Sequence, residues 1–188
     1  MKSKRLARKF YIRPTLQVAK DLLGKYIIRK IGKKQIEGKI IETEAYIGPR
    51  DKASHAYRGK VTLRNKAEWL EGGHIYIYLV YGMYWQFNIS TYKAGAPECV
   101  LIRALAVDGK ISEANGPGKL CRHLKLDKSF YGENLVMSKK VWLEDRGVEI
   151  KPSGIIATPR IGIAYAGPYW SRRHWRFLLK EYQKLLPK

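Results

Sequence analysis

Apolar and polar positions follow two rhythms along this chain, and the change from one to the other marks the predicted elements. Pro14-Thr15 opens a stretch in which Leu16, Val18, Ala19, Leu22 and Leu23 recur at helical spacing before Gly24. Proline first and glycine after is the signature of a short amphipathic helix. From Lys25 the rhythm becomes that of strands: Tyr26-Ile27-Ile28, a turn at Gly32-Lys33-Lys34, and an apolar run from Gln35 through Ile47 predict a hairpin. Thr62 to Leu70 predicts a second helix, and Gly72-Gly73 interrupts the chain. Ile75 to Val80 and Trp85 to Ser90 then predict a second hairpin around Tyr81-Gly82-Met83-Tyr84, a tip more aromatic than turns usually are. A strand over Cys99 to Val107, a helix over Pro117 to Leu124 and short strands at Val141–Leu143 and Ile161–Ala164 follow. The tail from Arg172 to Lys188 mixes Trp175, Phe177 and Leu178 with basic charge.

Strands outnumber helices and come as hairpins, and neither an internal repeat nor a low-complexity linker divides the chain. A length of 188 residues suffices for one full hydrophobic core. The expected fold class is α+β: a single domain over residues 1–188 with a curved, mostly antiparallel β-sheet, surrounding helices and a protruding β-hairpin. The basic termini, about 1–13 and 178–188, are expected to be loose.

Charge adds a partner. Lysine and arginine number 37 against 16 acidic residues, a formal net charge of +21, so a polyanion is the natural ligand. The charge is interleaved with 5 Trp, 13 Tyr and 4 Phe, and basic surface with aromatic faces points to nucleic acid rather than to membrane. Cys99 and Cys121 lack C-x-x-C spacing and support neither a disulfide framework nor a zinc ribbon. Phe10-Tyr11-Ile12 is cut short by Arg13, so no signal-peptide core is expected, and no apolar stretch is long enough for a membrane span. A soluble, intracellular monomer is expected.

Candidate chemistry concentrates in Ile41-Glu42-Thr43-Glu44-Ala45-Tyr46-Ile47, where strand alternation puts Glu42, Glu44 and Tyr46 on one face. The two carboxylates then lie roughly 7 Å apart. That spacing suits a glycosidase acid/base pair, a nuclease metal site with Asp51, one catalytic base with a structural neighbour, or a solvated face paired with the surplus lysines and arginines. His55 follows in a glycine- and charge-rich loop. Tyr76 and Tyr78 share a strand face, and Tyr76 reads as core. Tyr81 has nothing of its own chain to pack against at the hairpin tip and resembles a wedge between base pairs. Asn88 and Arg103 are single polar residues inside apolar strands and require partners. Gly116-Pro117-Gly118-Lys119-Leu120 lacks the P-loop spacing and hydroxyl residue, which rejects a nucleoside triphosphatase but leaves Lys119 a candidate for one backbone phosphate.

Taken together, several segments resemble the alkyladenine (3-methyladenine) DNA glycosylase family. They are Glu42-Thr43-Glu44-Ala45-Tyr46, the loop to His55, Thr62 through Arg64-Asn65, Tyr76 through Asn88, Cys99 to Leu105, Gly116 to Cys121, and Arg160-Ile161-Gly162. The resemblance runs from about Leu16 to Phe177. Leu63 departs from it where the family often has proline, and the tail after Phe177 does not align.

The resemblance implies a monofunctional enzyme that flips a damaged purine out of double-stranded DNA and hydrolyses its N-glycosidic bond, with no metal and no cofactor. It makes Glu44 the general base for a water that Arg103 and the backbone carbonyl of Ile161 help to hold. Tyr46, His55 and Tyr78 would line the base pocket, and Asn88 would exclude the amino group of guanine. Tyr81, with Met83, would enter the duplex. Lys60, Arg64 and Lys119 are the candidates for contacts with the DNA backbone. Glu42 is then expected to be structural.

Overall fold

The computed structural model describes residues 3–186. Its elements in chain order are β1 (Lys4–Arg5), α1 (Arg8–Tyr11), α2 (Thr15–Asp21), β2 (Tyr26–Ile31), β3 (Lys34–Ile47), β4 (Ile75–Val80), β5 (Tyr84–Ser90) and β6 (Glu98–Ala106). α3 (Pro117–His123), β7 (Val141–Asp145), β8 (Ile155–Thr158), α4 (Pro168–Ser171) and β9 (Arg176–Leu179) follow, with 3-10 turns between them. The sheet runs β1-β7-β2-β3-β6-β5-β4, with β9 paired to β3 and β8 to β9. Every pairing is antiparallel, as the hairpin-rich pattern predicts for an α+β fold.

The 14-residue β3 is the spine of the sheet. Its first half pairs with β2 across the turn at Gly32, and its second half is held between β6 and β9. Ile40, Ile41 and Ala45 on β3 join Val18 and Ala19 of α2, Leu22 just after it, and Ile102, Ala104 and Leu105 of β6 in one continuous core. Gly72 interrupts the chain because a Cβ there would lie 2.7 Å from the Tyr11 carbonyl oxygen; only glycine lets the chain pass so close to α1.

Two expectations are corrected. Thr62 to Leu70 is not an α-helix: only a 3-10 turn, Lys66–Trp69, forms. The Asn65 side chain is the cause. Its Oδ1 accepts the Thr62 N–H at 2.7 Å, while Nδ2 donates to the carbonyls of His55 and Lys60 at 3.0 and 2.8 Å, and these local bonds replace a helical ladder. Ile161–Ala164 is not a strand either. The Ile161 N–H is spent on a side chain, Gly162 turns at φ +76°, and the local strand is β8 instead.

β1 pairs with β7, Tyr11 is fully buried, and Leu178 and Leu179 sit in the core ahead of a turn at Lys180–Leu185. Residues 1, 2, 187 and 188, at the ends of the two termini expected to be loose, lie outside the described residues. Among the described residues no helix is long and apolar enough to cross a membrane.

Candidate active site

Sheet register assembles the site. Tyr76 of β4 lies opposite Asn88 of β5, Asn88 opposite Leu101 of β6, and Leu101 opposite Glu44 of β3. Residues opposite one another in a ladder point to one face, so these four form a row across four strands. Tyr78 and Gln86 flank it on one side, Cys99 and Tyr46 on the other. Over this face lies a cavity of about 340 Å³ whose walls include Tyr46, His55, Tyr78, Asn88, Arg103 and Ile161. A larger groove of about 750 Å³ runs beside the N-terminal segment and Val148–Lys151, but none of its acids is buried.

Glu44 sits just behind the cavity wall and is inaccessible to solvent, and Glu42 is 1% exposed. The solvated-face alternative is thereby overturned: both faces of β3 are buried at this point. The β3–β6 register shifts on either side of Glu42, which leaves Ile41 and Arg103 without directly opposed partners. Bulges of this kind re-aim side chains. Here Arg103 reaches both acids, with Nε 3.0 Å from Glu42 Oε1 and an Nη 3.3 Å from Glu44 Oε1. Burial pulls the Arg103 pKa down, but Glu44 and Glu42 more than offset it, so the guanidinium stays charged.

The two carboxylates have different company. Glu42 is held between Arg103 and Arg176, whose Nε is 2.5 Å away, which fits a structural ion pair. Glu44 accepts from the Tyr46 hydroxyl at 2.8 Å and from the Ile161 N–H at 2.8 Å, besides Arg103. Burial, and then the charge of Glu44, push the Tyr46 pKa well above its ordinary value, so that hydroxyl keeps its proton and donates. The backbone amide of Ile161 is thus a donor to Glu44. Asp51, weighed as a third metal ligand, is instead locked to Arg160 by contacts of 2.5 and 2.9 Å between fully buried side chains. Arg160 also donates to the Ala45 carbonyl and lies over the rings of Tyr46 and Trp175, fixing the approach of Ile161 to β3.

On the opposite wall, the His55 Nδ1 lies 2.6 Å from the Tyr76 hydroxyl, and its ring meets Tyr78 edge to face at 4.7 Å. Desolvation and the Arg64 charge hold the His55 pKa below its ordinary value, so the ring is neutral at pH 7. Tyr76 is core, as expected, and also a cavity wall. Asn88 donates from Nδ2 to the carbonyls of Tyr76 and Gln86, both at 3.1 Å. That leaves its Oδ1 as the side-chain atom with capacity for another partner.

At the hairpin tip Tyr81 is 87% and Met83 63% exposed. Tyr81 and Gly82 both have positive φ, +52° and +69°, as tight hairpin turns require, and the Met83 N–H closes the turn on the Val80 carbonyl. A bulky residue is disfavoured in that region, so Tyr81 holds a backbone conformation that glycine or asparagine adopts more easily. Arg64 reaches back to the Leu79 carbonyl and covers the Tyr78 ring, so it is a cavity wall as well as a surface cation. Lys119, bonded to Asn115, follows Gly118, which packs against Tyr84 next to the hairpin turn. Lys60 is exposed in the loop after His55.

Sequence reasoning missed Glu68, Gln86 and Tyr165 as cavity residues and assigned Arg160 no role. Arg160 and Gln86 carried a signal, each lying in one of the resembling segments, whereas Glu68 and Tyr165 lie outside them.

Residues 9–183 match the family model described as methylpurine-DNA glycosylase. A Methanocella arvoryzae protein named "Putative 3-methyladenine DNA glycosylase" is 44% identical over 92% of this chain and 90% of its own length. One of the same name from Clostridium perfringens is 39% identical over 94% of this chain and 96% of its own. The mouse protein named "DNA-3-methyladenine glycosylase" is 36% identical over 95% of this chain and 60% of its own length. The chain belongs to the methylpurine-DNA glycosylase family, DNA-repair enzymes that hydrolyse N-glycosyl bonds.

Proposed function

We propose that the protein flips alkylated or deaminated purines, the class of 3-methyladenine, hypoxanthine and ethenoadenine, out of double-stranded DNA and hydrolyses their N-glycosidic bond with a water activated by Glu44. The observation that carries this reading is a buried carboxylate, Glu44, ringed by three donors just behind the wall of a cavity that a planar base can enter. Cleavage builds positive charge on the sugar, and the carboxylate both stabilises it and takes the proton of the water that captures C1′. The product is an abasic site. Arg103 and Tyr46 hold Glu44, while Tyr78 and His55 supply flat walls for the flipped base.

The reaction requires the base outside the stack. Tyr81, with Met83 beside it, fills the vacated space, and Lys60, Arg64 and Lys119 meet backbone phosphates around the opening. Tyr81→Ala is expected to melt at the wild-type temperature, because its ring is exposed, yet to bind lesion duplex and intact duplex almost equally. Competition binding with the two duplexes measures this, and undiminished discrimination would remove the wedge. Asn88→Ala is expected to admit guanine-derived lesions, which the Asn88 amide otherwise excludes by crowding their exocyclic amino group. A substrate profile unchanged between 3-methyladenine and 3-methylguanine would remove that role. The activity itself is tested by incubating methylated DNA with the protein and identifying the released free base by mass spectrometry.

A further inference from the structure

Glu68 takes no part in the chemistry described so far. It comes from the 3-10 turn outside the sheet, is 2% exposed, and lines the base cavity together with Tyr76, Asn88 and Cys99. Its Oε1 meets the Cys99 thiol at 3.4 Å. Its Oε2 is buried and has no hydrogen-bond partner among the described residues. No arginine or lysine pairs with it among them either, in contrast to Glu42 and Asp51. An ionised carboxylate there would be a lone charge in a weakly polarisable wall, whereas a neutral acid carries an O–H in need of an acceptor. Burial pushes its pKa up to about 8, against the opposing pull of Cys99 and Asn65, so the acid form predominates at neutral pH.

We propose that Glu68 is the proton donor to the flipped purine, and that it extends the substrate class from cationic alkylpurines to neutral bases such as hypoxanthine. This role rests on the glycosylase reading above. A 3-methylated adenine already carries positive charge and leaves as a neutral base without help. A neutral purine would leave as an anion unless it is protonated. In the step assigned here the C1′–N9 bond breaks with its electron pair going to the purine, and the Glu68 proton passes to a purine ring nitrogen. The water oxygen bonds to C1′ and its proton goes to Glu44. Solvent then removes that proton from Glu44 and returns one to Glu68. The two carboxyl groups divide the work because they occupy different walls: Glu44 on β3 is ringed by a guanidinium, a hydroxyl and an amide, whereas Glu68 on the turn meets the weakly donating Cys99 thiol and no arginine or lysine among the described residues.

The titratable groups facing Glu68 are Cys99 from β6, Tyr76 and Tyr78 from β4, and Tyr131, with Arg64 over the Tyr78 ring. Burial holds Cys99 and the three tyrosines above their ordinary values, which leaves Glu68 as the group on this wall that titrates near pH 8.

The test is single-turnover release of hypoxanthine from a defined duplex and of 3-methyladenine from methylated DNA, by wild type, Glu68→Gln and Glu68→Leu. Both variants should release hypoxanthine about a hundredfold more slowly while 3-methyladenine release stays within about threefold. The wild-type hypoxanthine rate should also fall as pH rises through about 8, a limb that both variants lack. Retained 3-methyladenine release shows that a variant is folded. Equal losses on both bases, or an unchanged hypoxanthine rate, would overturn the role of Glu68 alone. Failure of wild type to release either base would overturn the glycosylase reading together with it.

Discussion

Replacing Glu44 by glutamine is expected to slow base release by roughly 10²- to 10⁴-fold, the range that positioned acid–base groups supply. The amide has nearly the same shape, so the cavity keeps its walls. It cannot take a proton from water, and its NH₂ group faces the donors of Arg103, Tyr46 and Ile161 where an acceptor stood. Binding of a lesion duplex should hardly change, because Glu44 lies behind the wall rather than on the DNA-facing surface. Single-turnover rates with enzyme in excess separate the two effects. A rate within threefold of wild type would contradict a base role, as would a loss explained wholly by weaker binding.

The second large effect concerns the scaffold. Arg160→Met leaves Asp51 fully buried with neither guanidinium bond, and stranding one member of a buried pair costs about 3–5 kcal/mol. For a domain of this length that corresponds to a fall of roughly 6–20 °C in melting temperature. The same arginine holds the Ala45 carbonyl and packs on Tyr46 and Trp175, so the Ile161 amide should lose its register on Glu44 and base release should slow as well. Adding Asp51→Leu to Arg160→Met should recover much of the lost stability, since no uncompensated charge remains. Thermal melts of the two single variants and the double variant check this. Single variants melting within 2 °C of wild type would show that the pair does not clamp this corner.

Period-two alternation in Ile41–Ile47 was enough to read Glu42, Glu44 and Tyr46 as one face, and the structure joins them through Arg103 and the Tyr46 hydroxyl. The aromatic tip was legible because Tyr81 and Gly82 stand between two apolar runs with no partner nearby. What was not legible depends on contacts between distant residues. Asp51 and Arg160 are 109 positions apart, and nothing local marks them as a pair. The Asn65 side chain overrode the helical spacing of Thr62 to Leu70 by bonding its own loop. Glu68 lies within that stretch and carried no signal of its own, because only the closing of that loop over β4 and β6 removes it from water. The Ile161 amide was hidden for a related reason: a backbone donor leaves no trace in residue identity.

The central claim, a water-using glycosylase with Glu44 as its base, is tested most directly on an end-labelled duplex carrying one hypoxanthine. Wild type and Glu44→Gln are incubated with it in EDTA, and the products are resolved with and without alkali. Strand breaks that require alkali, and that wild type alone produces, are the predicted result, because they report an abasic site left by base loss. Breaks that appear without alkali and vanish in EDTA would mark a metal-dependent nuclease, and equal alkali-dependent breaks from both proteins would contradict the role of Glu44.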